Sequence, residues 1–241
     1  MSHAGARRVL VALGLLAGCG SSVDTSLATD ALIASTLTPD EVAASMVEVV
    51  ARGCGPAPAQ ASAVKVADDL VVTVAHAVAG ASEVTTRISE DGPETAARVV
   101  AFDDVADLAL LEVLNIESGP VPIGSLEPGD RATLIGFGGE GGPHQRPVEV
   151  TRKVRATIEN FTHSAEVVRP SLEFIGDVTL GDSGGPLLDA NGAIGAIVFA
   201  ESDERAALGF AVRASELKRV LDNTGTSSPT RPDADVGPCP S

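Results

Sequence analysis

The sequence predicts an all-β domain, a barrel or a sandwich, closed by one C-terminal helix. Three observations carry that prediction. Short apolar segments recur from Cys54 onward, at 62–67, 69–74, 82–88, 96–102, 108–114, 131–137, 147–158, 165–175, 186–189, 193–199 and 207–213, parted by Gly, Pro, Asp and Asn. Valine falls in short runs such as Val71-Val72, Val99-Val100 and Val167-Val168, and β-branched side chains suit a pleated, half-buried surface. The loop-like stretch NIESGPVPIGSLEPGD, residues 115–130, divides the segments into two sets. Hydrophobic residues make up 44 % of the 241 and aromatic residues 2 %, with no Trp or Tyr, so the core must be built from Val, Leu, Ile and Ala.

Taken from the N-terminus, the chain opens like an export signal. Arg7 and Arg8 precede a short apolar run, VLVALGLLAG, too short for a permanent bilayer span. The run ends in LLAGC, which resembles the bacterial lipobox. That resemblance implies a signal peptide at 1–18, lipidation of Cys19 and anchoring to the cell envelope; an ordinary cleaved secretory signal is the alternative. Gly20, not Asp, follows Cys19, so the outer membrane is expected if two membranes are present. Three cysteines are an awkward number for an exported protein. Lipidating Cys19 leaves Cys54 and Cys239 for one disulfide, which an oxidising compartment permits. Closing so long a loop would add roughly 5 kcal/mol on the chain-entropy account.

Residues 20–37, rich in Ser, Thr, Ala and Asp, read as a tether, part of a leading region at 19–54. TPDEVAASMVEVVARG then predicts a helix. Thr38 can cap it, Pro39 suits its first position, Glu41 completes a capping box, and Gly53 stops it. Val42, Met46, Val49 and Val50 would form its apolar stripe. After the strand segments, ASELKRVLDN predicts the closing helix, with Ser215 as its cap and Leu217, Val220 and Leu221 on one face. The composition of the tail, 223–241, predicts disorder except where Cys239 is held.

The segment that carries chemistry is GDSGGPLLD, residues 181–189. A serine hydroxyl is a poor nucleophile at neutral pH. It needs a base, a group to orient the base, and N–H donors aimed at the developing oxyanion. The glycines let the backbone come close to a substrate, and the N–H groups of Gly181 and Ser183 are the natural donors. Of the four histidines, His3 lies in the signal, and His144 and His163 lie in polar contexts. His76 ends the apolar run LVVTVAHAV between small residues, which leaves its ring room to face a cleft. Asp107 opens the apolar segment after FDDVA, so it is the carboxylate that becomes buried, whereas Asp103 and Asp104 read as solvated turn acids.

The order His76, Asp107, Ser183, in TVAHAV, DLALLEV and GDSGGPLLD, resembles the trypsin/chymotrypsin superfamily of serine peptidases, in its compact bacterial form. The resemblance covers about residues 56–222. It implies two six-stranded antiparallel β-barrels, at about 55–118 and 125–213 of a domain spanning 55–222, with the cleft between them. It implies His76 as general base, Asp107 as the acid that orients it, Ser183 as nucleophile, and peptide bonds as substrate. No PDZ-like sequence follows, so an HtrA-style chaperone-protease is not expected. The chain departs from the digestive members in having Ala77 where they carry a Cys and no activation segment of the IVGG type. Asp182 therefore needs a partner other than a new N-terminus, an Arg or backbone N–H groups.

The resemblance to trypsin-like members also implies that Asp177, six residues before Ser183, confers cleavage after Arg or Lys, and that Gly209 matches a family position where a small residue keeps the specificity pocket open. The alternative is a turn aspartate facing solvent. Ala200 stands where a wall glycine is usual.

Two other classes compete with this reading. A silent member of the fold could use the cleft to bind a protein partner. An esterase of the α/β-hydrolase kind is disfavoured, since GDSGG is not a G-x-S-x-G elbow and the residue order is wrong. The net charge of −16, near −18 without the signal, argues against nucleic acid and against docking on anionic lipid by charge. No cofactor is expected, and neither His nor Cys clusters as metal ligands would. A monomer acting on polypeptides is the expected state.

Overall fold

The computed structural model describes residues 36–139, 141–160, 165–202, 205–225 and 231–240. The signal with His3, Cys19, the tether up to residue 35, and His163 lie outside the described residues.

The expected helix from Thr38 to Gly53 is one turn only. Helix α1, Pro39–Ala43, carries the capping box: Thr38 accepts from the Glu41 N–H, and the Glu41 carboxylate accepts from the Thr38 N–H. The chain then extends as strand β1, Met46–Arg52. The spacing of Val42, Met46, Val49 and Val50 does fit a helical stripe. But Val47, Val49 and Val50 are β-branched, and β1 is buried along nearly its whole length, so no exposed helical face was available.

Strands β2, Ala59–Ala67, and β3, Leu70–Thr73, form the next hairpin. A single turn, α2, Ala75–Val78, follows at once. Then come β4, Glu83–Arg87; β5, Thr95–Ala96; β6, Arg98–Asp103; and β7, Leu108–Glu112. These strands form one antiparallel sheet in the order β5-β4-β1-β2-β3-β7-β6. It has seven strands rather than six, because β1 replaces the helix and the two-residue β5 adds a short edge.

The second set is β8, Arg131–Gly136; β9, His144–Glu159; β10, Glu166–Ile175; β11, Pro186–Leu188; β12, Ile194–Glu201; and β13, Leu208–Arg213. It closes as a six-stranded barrel, β10-β13-β12-β11-β8-β9. All eleven expected strands are present. Helix α3, Ala214–Thr224, follows β13. Its cap position is Arg213 and not Ser215, because β13 runs straight into the helix and Ser215 already lies within its first turn.

One apolar cluster runs from the first sheet through Ile135, Leu188, Ile197 and Val212 to Leu217, Val220 and Leu221 of α3. A second fills the barrel with Leu134, Val150, Leu172, Phe174, Leu187 and Val198. Each such buried Val or Leu contributes about 1.5–3 kcal/mol, so a core poor in aromatics still suffices by number. The described part of the tail, 231–240, is docked rather than free. Ala234 and Gly80 bond with Val99 and Val236 through the backbone, Arg231 is buried, and a disulfide joins Cys54 to Cys239 with Cα atoms 5.4 Å apart. Composition alone misjudged this segment because its few anchors, a cysteine and a buried arginine, are single residues.

Candidate active site

The apolar strand β3 delivers the chain into α2, where Ala75 and Ala77 are buried and His76 is left 35 % exposed. Small neighbours thus give the imidazole an open side. Asp107 lies in the turn between β6 and β7 and is buried. Its backbone is left-handed, φ 57°, a conformation that aspartate tolerates better than most residues. Its carboxylate takes two hydrogen bonds from His76, one from the backbone N–H and one from Nδ1, each 2.9 Å. The carboxylate can only accept, so Nδ1 carries the proton and Nε2 is the nitrogen left to accept one.

The electrostatics follow from those contacts. Burial is the largest influence on the His76 pKa and pulls it down. The charge of Asp107 and its hydrogen bond together outweigh burial, so the imidazole titrates above its ordinary value. The Arg169 charge works in the downward direction. For Asp107, burial pushes upward, and the His76 and Arg169 partners bring it below the usual carboxylate range.

Ser183 lies in the loop between β10 and β11. Asp182 beside it is fully buried and does find the kind of partners its sequence context demanded. It pairs with Arg146 of β9 and accepts the N–H groups of Gly138 at 3.0 Å and Thr179 at 2.7 Å. Arg146 also donates to the Gly138 carbonyl. Gly181 has φ 100°, a conformation open to glycine, and its carbonyl accepts the Ser62 hydroxyl at 2.7 Å. Ser62 belongs to β2 of the first sheet. Its hydroxyl accepts the Phe137 N–H at 2.9 Å, and its own N–H donates to the Ser183 carbonyl at 2.7 Å. Gly184 fits because a Cβ there would collide with the Ser62 carbonyl and Thr73 Oγ1. The serine loop is therefore seated on β2 and β3, the strands that lead into α2 and His76.

The Ser183 hydroxyl and the N–H groups of Gly181 and Ser183 hydrogen-bond to no other described residue. Asp103 and Asp104 stay outside the cluster. Asp103 accepts the Ala106 N–H and pairs with Arg219, and Asp104 is exposed.

The expected specificity residues are arranged differently. Asp177 is exposed. The space beside Gly209 is filled by the fully buried ring of Phe174 rather than left open. A cavity of about 520 Å³ has a mixed lining, apolar at Phe199, Leu208 and Phe210 and charged at Arg152, Glu173 and Arg205, and neither Asp177 nor Gly209 borders it. A smaller one, about 210 Å³, opens beside His76 between Ala57, Pro58 and the Cys54 and Pro240 segments.

Sequence reasoning passed over Ser62, Arg146 and Arg169. A basic residue inside an otherwise largely apolar strand, as in VVRPSLEF, was the available signal for Arg169. Ser62 had none, because a serine between alanines looks like filler.

Residues 61–197 match the trypsin-like peptidase domain. The serine protease Rv3671c of Mycobacterium tuberculosis is 32 % identical over 168 residues, 68 % of this chain and 42 % of that protein. The crystal structure of the active form of the Rv3671c protease superposes with a TM-score of 0.76 at 26 % identity, covering 88 % of this chain and 92 % of that one. The HtrA-type protease AlgW, solved with a tripeptide, shares the fold at a TM-score of 0.65 and 22 % identity, over 76 % of this chain and 61 % of that one. This chain spans about two fifths of the length of the curated relative it matches.

Proposed function

Because the chain belongs to the trypsin-like peptidase family, we propose that it is a serine endopeptidase acting through Ser183, His76 and Asp107. The observation that carries the reading is the pair of 2.9 Å bonds from His76 to one buried carboxylate. They fix the ring and its tautomer, leaving Nε2 as the base. In the acylation step Ser183 Oγ attacks the scissile carbonyl carbon while Nε2 takes its proton. The oxyanion forms facing the Gly181 and Ser183 N–H groups. The imidazolium, stabilised by Asp107, then protonates the leaving amine, and water repeats the sequence to release the acid.

The test is fluorophosphonate labelling of the full chain beside Ser183→Ala. Stoichiometric labelling that disappears in the variant is the expected result. A folded wild-type chain that takes no label would point instead to a partner-binding member of the fold. Cleavage after Arg or Lys rests on the spacing of Asp177 from Ser183. Paired Arg and Phe peptide substrates test that preference, and equal cleavage of the two would remove the role of Asp177. Export and attachment through a lipid on Cys19 complete the proposal. Fatty-acid incorporation that persists in Cys19→Ser would refute the anchor.

A further inference from the structure

Strand β10 places one arginine where its sheet meets the other. Arg169 is 3 % exposed, and its guanidinium spends its donors on a single turn of the first sheet. Nε donates to the Val105 carbonyl at 2.9 Å, Nη2 to the Asp104 carbonyl at 3.3 Å, and Nη1 to Asp107 Oδ2 at 3.3 Å. That oxygen is the one that also accepts from His76 Nδ1. The guanidinium lies over the Phe199 ring, 4.7 Å from its centre. An arginine so deeply buried is costly unless paired and hydrogen-bonded, and every pairing here is directed at the residues flanking the triad acid.

We infer that Arg169 is a positioning residue for the reaction: reaching across from the second sheet, it fixes the turn before Asp107 and the carboxylate itself in the orientation that faces His76. The inference rests on the proposed roles of His76 and Asp107. The planar fork matters because one side chain must satisfy two carbonyls and a carboxylate at once, which an ammonium cannot do in fixed geometry. Its charge matters too. A cation beside Asp107 holds the carboxylate ionised and opposes protonation of the imidazole behind it. The charged groups in the surroundings are Asp107, Asp103 and Asp104 from the β6–β7 turn, and Arg219 of α3, which pairs with Asp103.

The experiment is an NMR titration of the His76 imidazole in the full chain, its resonance identified by its absence in His76→Asn, together with kcat/KM against pH. The variants are Arg169→Met and Arg169→Lys. Methionine removes the charge, so the His76 midpoint and the acid limb of kcat/KM both move to higher pH. Lysine keeps the charge and leaves the midpoint at its wild-type place. Both lower kcat by about ten- to a hundredfold, as for other groups that orient a reacting residue, because both lose the paired carbonyl contacts. Should the methionine variant not fold, Arg169→Gln makes the same charge change and keeps a donor. Equal midpoints in folded wild type and charge-free variants, or a shift to lower pH, would overturn the inference. Fluorophosphonate labelling of the wild type reads the proposed activity separately, so loss of either claim is distinguishable from loss of the other.

Discussion

Asp107 and Asp182 are both buried carboxylates, both accept backbone N–H groups, and both lie against an arginine of the second sheet. They differ in what else they touch. Among the described residues the Asp182 carboxylate meets only backbone N–H groups and Arg146, and these contacts shape the loop that carries Ser183. Asp107 meets a titrating imidazole, and its arginine comes from the opposite sheet. The same means of keeping a buried charge therefore serves two ends. One carboxylate sets geometry, and the other also transmits its charge to the group that would move the proton. Variants at the two sites should differ in kind as well as in size.

The largest effect is expected at Asp107. Asparagine tolerates the left-handed backbone there, so Asp107→Asn removes charge without adding strain. On the analogy of other triads, kcat/KM falls about 10⁴-fold, since an amide that donates to Nδ1 selects the wrong tautomer. The sign of the pH effect is also fixed. Asp107 is what raises the His76 pKa against the downward pull of burial, so its removal moves the acid limb of kcat/KM to lower pH. A limb that stays in place would mean that the two are not coupled.

Arg146→Met is next in size. It leaves Asp182 buried with backbone donors and no cation. Breaking a buried pair costs about 3–5 kcal/mol, and the lower end applies because the Arg146 side chain is 20 % exposed. The loop that presents the Gly181 and Ser183 N–H groups loses its anchor. A fall in kcat/KM of about 10²–10³, the range seen when one oxyanion donor is lost, is expected with the acid limb unmoved. Denaturant melts and pH–rate profiles of the two variants side by side are the check. If Arg146→Met shifted the limb as Asp107→Asn does, the distinction between the carboxylates would collapse.

How much of this was legible in the sequence depends on how local the signal is. GDSGGP announces itself, because the glycines, the serine and the acid are contiguous. His76 and Asp107 are readable because one closes an apolar run and the other opens one. The eleven strands come from short apolar runs and their Gly, Pro, Asp and Asn punctuation, which are also local. The failures are all matters of context. Met46–Arg52 satisfies both a helical stripe and a buried strand, and only its pairing with β2 and β4 decides between them. Gly209 reads as open space until Phe174, from another strand, is found filling it. The partner of Asp182 could be specified by chemistry as an arginine or backbone N–H groups. It could not be specified as Arg146, because 36 residues of chain separate the two.

Ser62 offers the finest test of the contrast, since it acts on the serine loop from the first sheet and carries no charge. Its hydroxyl links the Phe137 N–H to the Gly181 carbonyl inside a fully buried setting. Ser62→Ala leaves the Phe137 N–H without its acceptor, at a cost of about 1–3 kcal/mol. The Gly181 carbonyl is also released, and with it the peptide lying between the two proposed oxyanion donors. Only geometry changes, so kcat should fall about tenfold with KM and the acid limb unaltered, a small version of the Arg146 effect. A variant that loses stability but keeps its kcat would make Ser62 a fastener between the sheets and nothing more. The orientation of the proposed oxyanion donors would then rest on Asp182 with its arginine and on the Ser62 N–H bond to the Ser183 carbonyl.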